Sequence, residues 1–67
     1  MDFELNKSKF INLKKEELNY IDSIANISSN RLLSETEKLE VYRTLNNYNI
    51  KLNEILKNLL VHQVKLT

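Results

Sequence analysis

The sequence contains no glycine, no proline and no cysteine in 67 residues. Without glycine there is no residue that enters φ > 0 at no steric cost, and no loop of the kind that cradles phosphate. Without proline no position is locked or stripped of its N–H. Without cysteine there is no disulfide, and one histidine alone makes a poor zinc site. Long apolar runs are missing too. The longest is Leu59-Leu60-Val61, so neither a membrane span nor a secretory apolar region is expected. The expected location is the cytoplasm.

Charge of one sign is also lacking. Ten Lys/Arg oppose nine Asp/Glu, for a net charge of +1. Such a balance exerts no strong non-specific pull on nucleic acid or an anionic membrane. What is present is apolar side chain (42%) and charge (28%) in globular proportion. A chain this short buries only ~60% of its unfolded surface, so a lone core is marginal. With disulfides and metal set aside, regular helix packing or self-association is left to supply stability. Asparagine, lysine, isoleucine and leucine are abundant. This usage suits the A/T-rich codons of low-GC bacteria and their phages and mobile elements.

The expected fold is all-α: a single domain over 1–67 that forms an antiparallel hairpin of two unequal helices, about 9–28 and 35–63. Phe3 and Leu5 alternate with polar neighbours, which marks 1–8 as a lead-in, either a flexible or extended arm or the frayed start of a helix. In the first helix Phe10, Leu13, Tyr20, Ile21, Ile24, Ala25 and Ile27 share one half of the cylinder. Ser8 and Asn12 are both candidate N-caps. Glu17 sits in the middle of that stripe, with Arg43 as its nearest expected partner across the hairpin. The second helix has the better-marked start, because Ser34-Glu35-Thr36-Glu37 matches the S-x-x-E capping box. From there Val41, Leu45, Tyr48, Leu52, Ile55 and Leu59 recur at alternating spacings of four and three, and His62 extends the series. This is a heptad seam, widened by Tyr42, Leu56 and Leu60. The connection runs from Ser28 to Leu33, and Asn30 stands in for glycine as the expected left-handed residue.

A hairpin folded there sets residue i roughly beside residue 63 − i. The second helix then overhangs by about a dozen residues, ~18 Å. The overhang is apolar, so it is expected to be covered in part by the arm with Phe3 and Leu5, or by a second copy, completing a four-helix bundle, or by a different protein. The candidate protein interface is Tyr42, Leu45, Tyr48, Leu52, Ile55, Leu56, Leu59, Leu60 and His62.

No catalytic, metal-binding or cofactor-binding residue is expected. Glu16 and Glu17 are adjacent and point about 100° apart on a helix, so they cannot act as a carboxylate pair on one substrate. His62 has Asn58 and Lys65 as its helical neighbours, not a carboxylate or serine that would make it a base.

Two family outlines are matched in part. Lys9-Phe10-Ile11-Asn12-Leu13-Lys14 followed by a helix and a turn resembles a ribbon-helix-helix repressor, in which a short strand pairs across a dimer and reads the major groove. The resemblance implies DNA contacts by Asn12 and Lys14, to which the neighbouring Lys15 and Arg31 add positive charge. The helical-hairpin outline is also similar to small aspartyl-phosphate phosphatases acting on sporulation response regulators. Their S-Q-E-L-D motif is absent, and Tyr42-Arg43-Thr44-Leu45-Asn46 keeps only Leu45. The expected function is a small regulatory protein, an inhibitor, antirepressor or modulator, acting by protein–protein binding. A dimeric DNA-binding repressor is the alternative, and a structural scaffold subunit the third reading.

Overall fold

A computed structural model of the chain describes the backbone of residues 2–66 and the side chains of residues 3–61. Two helices account for nearly all of it: α1 over Asp2–Asn30 and α2 over Glu35–Leu66. They pack against each other as an antiparallel hairpin, a rod of 51 × 16 × 14 Å. Its radius of gyration is 15.6 Å, where a compact chain of this length would have about 11 Å.

The lead-in is helical, not extended. Helix α1 begins at Asp2, so neither Ser8 nor Asn12 caps it. The reason is tertiary. Asn6, Phe10, Leu13, Glu17, Tyr20 and Ile24 are the half-buried residues of α1, spaced four and three like the seam of α2. Phe3 and Ile27 continue the same line at the two ends, 42% and 36% exposed. A short alternating segment that is ambiguous alone becomes helix when α2 offers a surface along its whole length. The helices are therefore nearly equal, 29 and 32 residues, and α1 runs beside the stretch expected to overhang.

The facing seam of α2 is Val41, Leu45, Tyr48, Leu52, Ile55 and Leu59. Leu52, 6% exposed, is the one buried hydrophobic side chain among the described residues. Near it the Tyr20 and Tyr48 rings meet across the hairpin, with centroids 6.3 Å apart and planes tilted by 46°. Such tilted aromatic pairs add roughly 0.5–1.5 kcal/mol beyond the area they bury.

The reversal is tight and uses no left-handed residue; among the described residues φ is nowhere positive. Asn30 is thus not a left-handed cap. It lies in the last turn of α1, where its Nδ2 and the Ser29 Oγ both donate to the Asn26 carbonyl, at 2.9 and 2.8 Å. These bonds satisfy a carbonyl at the helix end from side chains. Arg31–Ser34 then cross to α2. The expected capping box forms in full: the Glu37 N–H donates to Ser34 Oγ at 3.1 Å, and the Ser34 N–H donates to Glu37 Oε1 at 2.9 Å. Arg31 clamps the same carboxylate with both guanidinium nitrogens, at 2.8 and 2.6 Å. The guanidinium and the Ser34 N–H hold the Glu37 carboxyl at a pKa of about 2.

Candidate protein interface

The seam residues fill alternate a and d positions of a heptad in both helices. In α1 the a line is Phe3, Phe10, Glu17 and Ile24; in α2 it is Leu45, Leu52 and Leu59. Reversing a helix reverses the sense in which its wheel runs, so equivalent positions of antiparallel partners flank the seam on the same side. The grooves follow this geometry. One depression is lined by Leu13, Glu16, Thr44, Asn47, Tyr48 and Lys51, and its polar members come from positions g and c. A second, about 190 Å³, is lined by Tyr20, Ile21, Ile24, Ala25, Val41 and Leu45. Here the residues beyond the seam, Ile21 and Ala25, occupy positions e and b.

The hairpin consequently has two unlike long sides. On the g/c side stand Lys9, Glu16, Glu37, Glu40, Lys51 and Glu54, with a line of amides, Asn12, Asn19 and Asn26, one heptad apart. On the e/b side, beside the charged Glu4, Lys7, Lys14 and Glu35, stand Ile11, Leu18 and Ile21 from α1 and Leu39, Tyr42, Leu56 and Leu60 from α2. These seven apolar residues are all exposed, from 40% for Leu56 to 67% for Tyr42. They are seven of the thirteen exposed large apolar side chains of the described residues, against two, Leu5 and Val61, on the g/c side. Apolar exposure is therefore concentrated and not scattered, which is the mark of a contact surface.

The expected interface residues divide between core and surface. Leu45, Tyr48, Leu52, Ile55 and Leu59 lie in the seam, where the hairpin uses them to hold itself together. Tyr42, Leu56 and Leu60 lie on the open e/b side. The side chain of His62 lies outside the described residues. Ile11, Leu18 and Ile21 belong to the same surface but were not among the expected interface residues. The signal that marks them is their offset of one residue from the α1 seam, which becomes visible once that seam is extended back to Phe3.

Glu17 does not reach Arg43, which projects from the back of α2. Its carboxylate, 13% exposed, accepts a hydrogen bond from Lys14 Nζ at 2.8 Å. A seam carboxylate is thus neutralised from its own helix, one turn away. The expected DNA-contact residues are dispersed. Asn12 and Lys15 are exposed on α1, Lys14 is held by Glu17, and Arg31 by Glu37. The segment Lys9–Lys14, which would have to be a strand in a ribbon-helix-helix protein, is helical. No cluster of His, Asp or Glu among the described residues is arranged to hold a metal ion. Nor is any helix of those residues long and apolar enough to cross a membrane.

Comparison of the chain with protein-family models, with curated proteins and with solved structures returns no match.

Proposed function

We propose that the chain is a small cytoplasmic regulatory protein that acts by binding another protein, as an inhibitor, antirepressor or modulator, with the e/b side of the hairpin as its contact surface. The observation that supports this reading is the gathering of exposed Ile, Leu and Tyr on one long side of a rod that has a single buried hydrophobic residue among the described residues. Tyr42, the most exposed large apolar side chain of that surface, has the area and polar tip of an interface anchor. The mechanism is occlusion: two helices with an apolar side add to a helical face of the target and cover it.

The test is capture from nuclease-treated lysate of the source cell at moderate salt, using the intact chain, an Ile21→Asp/Tyr42→Asp variant and an Asn47→Asp control from the opposite side. A foreign protein retained in stoichiometric amount by the intact chain and the control, and lost by the double variant, is the expected result. Equal retention by all three, or recovery of nucleic acid alone when nuclease is omitted, would overturn the reading.

A further inference from the structure

The exposed line along α2 has an internal symmetry. Beyond Glu35 in the first turn, positions b and e of α2 run Leu39, Tyr42, Asn46, Asn49, Asn53, Leu56, Leu60. Reversed about Asn49, the line superposes on itself in kind: Leu39 with Leu60, Tyr42 with Leu56, Asn46 with Asn53, and Asn49 with its own copy. All of these side chains are exposed, and none of the seven is charged. Helix α1 shares the axis at one pair: the residue of α1 beside Asn49 is near Glu16, and reflection about that level exchanges Ile11 with Ile21, while Lys14 falls opposite Leu18.

From this we infer that the e/b side is a twofold interface between two copies of the chain, with α2 lying antiparallel on its own copy and the axis passing at Asn49. The inference rests on the reading of that side as a protein-binding face and names its occupant in the free protein. Three observations select a second copy. First, an isologous contact requires that residue i meet residue j and j meet i, and the α2 line meets that requirement in kind from Leu39 to Leu60. Second, an amide both donates and accepts, so Asn46, Asn49 and Asn53 can pair with the same residues of a copy without charge conflict. Turning the hairpins so that α2 meets α1 would set Asn46 and Asn53 against Leu18 and Ile11 instead, leaving them unpaired. Third, the surface area fits. The chain exposes 5561 Å², where a compact monomer of its mass exposes about 4,450 Å². The excess, about 1,100 Å², is of the size that one partner contributes to a standard interface, ~800 Å². Paired asparagines at the centre of an apolar contact also fix its register, as a polar residue does in a coiled coil.

The experiment uses the purified full-length chain with no target present. Sedimentation or light scattering should give twice the chain mass of 8.0 kDa. Because the chain has no cysteine, single-cysteine variants report proximity cleanly. Asn49→Cys should form a disulfide-linked dimer under mild oxidation, and Asn47→Cys, on the opposite side, should not. Asn49→Asp should weaken association about tenfold or more by placing two carboxylates on the axis, with helicity by circular dichroism unchanged. A chain that stays monomeric at high concentration, or equal cross-linking at 47 and 49, would overturn the inference. The two proposals fail separately. A monomer that still captures a foreign protein through Ile21 and Tyr42 overturns the twofold contact and leaves the regulatory reading. A dimer joined at Asn49 that captures nothing supports the twofold contact and overturns the regulatory reading.

Discussion

The two long sides of this hairpin are built on the same backbone, from the same heptad frame, and differ in one step of the wheel. A residue placed just after a seam position falls on the side of Ile21, Tyr42 and Leu56. A residue placed just before it falls on the side of Glu16, Lys51 and Glu37. The first side gathers seven exposed large apolar side chains around three central amides, with its four charges, Glu4, Lys7, Lys14 and Glu35, toward the ends and along α1, and the second carries six charges among its described side chains. The lesson is that a two-helix rod cannot enclose a core by itself. Its seam hides one line of each helix, and among the described residues only Leu52 drops to 6% exposure. Further apolar residues have to choose a side, and here most choose the same one, seven against Leu5 and Val61 on the other.

The comparison is broken most severely from the seam that both sides share. Leu52→Ala removes the buried centre of the hairpin, and truncations of this type cost about 2–5 kcal/mol. For a domain whose whole stability is on the order of 5–15 kcal/mol, that is a large fraction. Thermal melts followed by circular dichroism at fixed protein concentration should show a large drop in midpoint. Asn47→Asp and Ile21→Asp, on the two outer sides, should move the midpoint of the isolated hairpin much less, because exposed substitutions stay within roughly ±0.5 kcal/mol. An Ile21→Asp chain that melts as early as Leu52→Ala would show that the hairpin and its contact surface are one folding unit.

A smaller effect, of opposite sign, is expected at Glu17. Its carboxylate occupies a seam position and is 13% exposed, held by Lys14 from the e/b side. Glu17→Leu replaces it with a side chain whose burial is worth about 1.5–3 kcal/mol. The ion pair lost in exchange is of a kind worth ~0.2–1 kcal/mol when exposed. The variant should be more stable by roughly 1–2 kcal/mol, a rise of several degrees in melting midpoint for a chain of this length. If the midpoint falls instead, Glu17 stabilises the register of the hairpin through a contact beyond the Lys14 pair.

The sequence makes the hairpin, its all-α character and the start of α2 legible, because those signals are local. Ser34 and Glu37 are three residues apart and report directly on each other, and the reciprocal bonds they form are the ones expected. The start of α1 is not local. Phe3 and Leu5 alternate within five residues, and only the presence of α2 alongside turns Phe3 into a seam residue and Leu5 into an outer one. The same shift of α1 accounts for the interface residues. A heptad seam looks alike whether its partner helix is in the same chain or another, so Leu45, Leu52 and Ile55 signal a partner without saying that α1 is that partner. The symmetry about Asn49 was equally out of reach. It becomes visible only after the seam is subtracted, when the asparagines can be sorted into those on the e/b line and those, such as Asn12 and Asn19, on the other side. Asn30 shows the opposite case. In a chain without glycine the loop avoids positive φ altogether and closes through Arg31 and Glu37.

That closure offers the finest distinction between the sides, because Glu37 stands at the loop end of the g/c side. Its carboxyl is lowered from 4.5 to about 2, first by the hydrogen bonds from Arg31 and then by the Ser34 N–H. A carboxyl whose folded pKa lies below its unfolded one stabilises the fold above the unfolded pKa and loses that contribution as pH falls through the folded value. The contribution of Glu37 is thus complete at neutral pH and fades between about pH 4.5 and about pH 2. Glu37→Gln keeps an acceptor for the Ser34 N–H, since glutamine also serves in a capping box, but removes the charge that Arg31 binds. The gap in stability between the intact chain and Glu37→Gln should therefore be widest at neutral pH and close on acidification. The e/b line of α2 from Leu39 to Leu60 has no titratable carboxylate, so Asn49→Gln should leave a gap that does not change over the same range. A Glu37→Gln gap that persists undiminished at pH 2 would mean that the loop is held by the geometry of the box and not by the charge of the clamp.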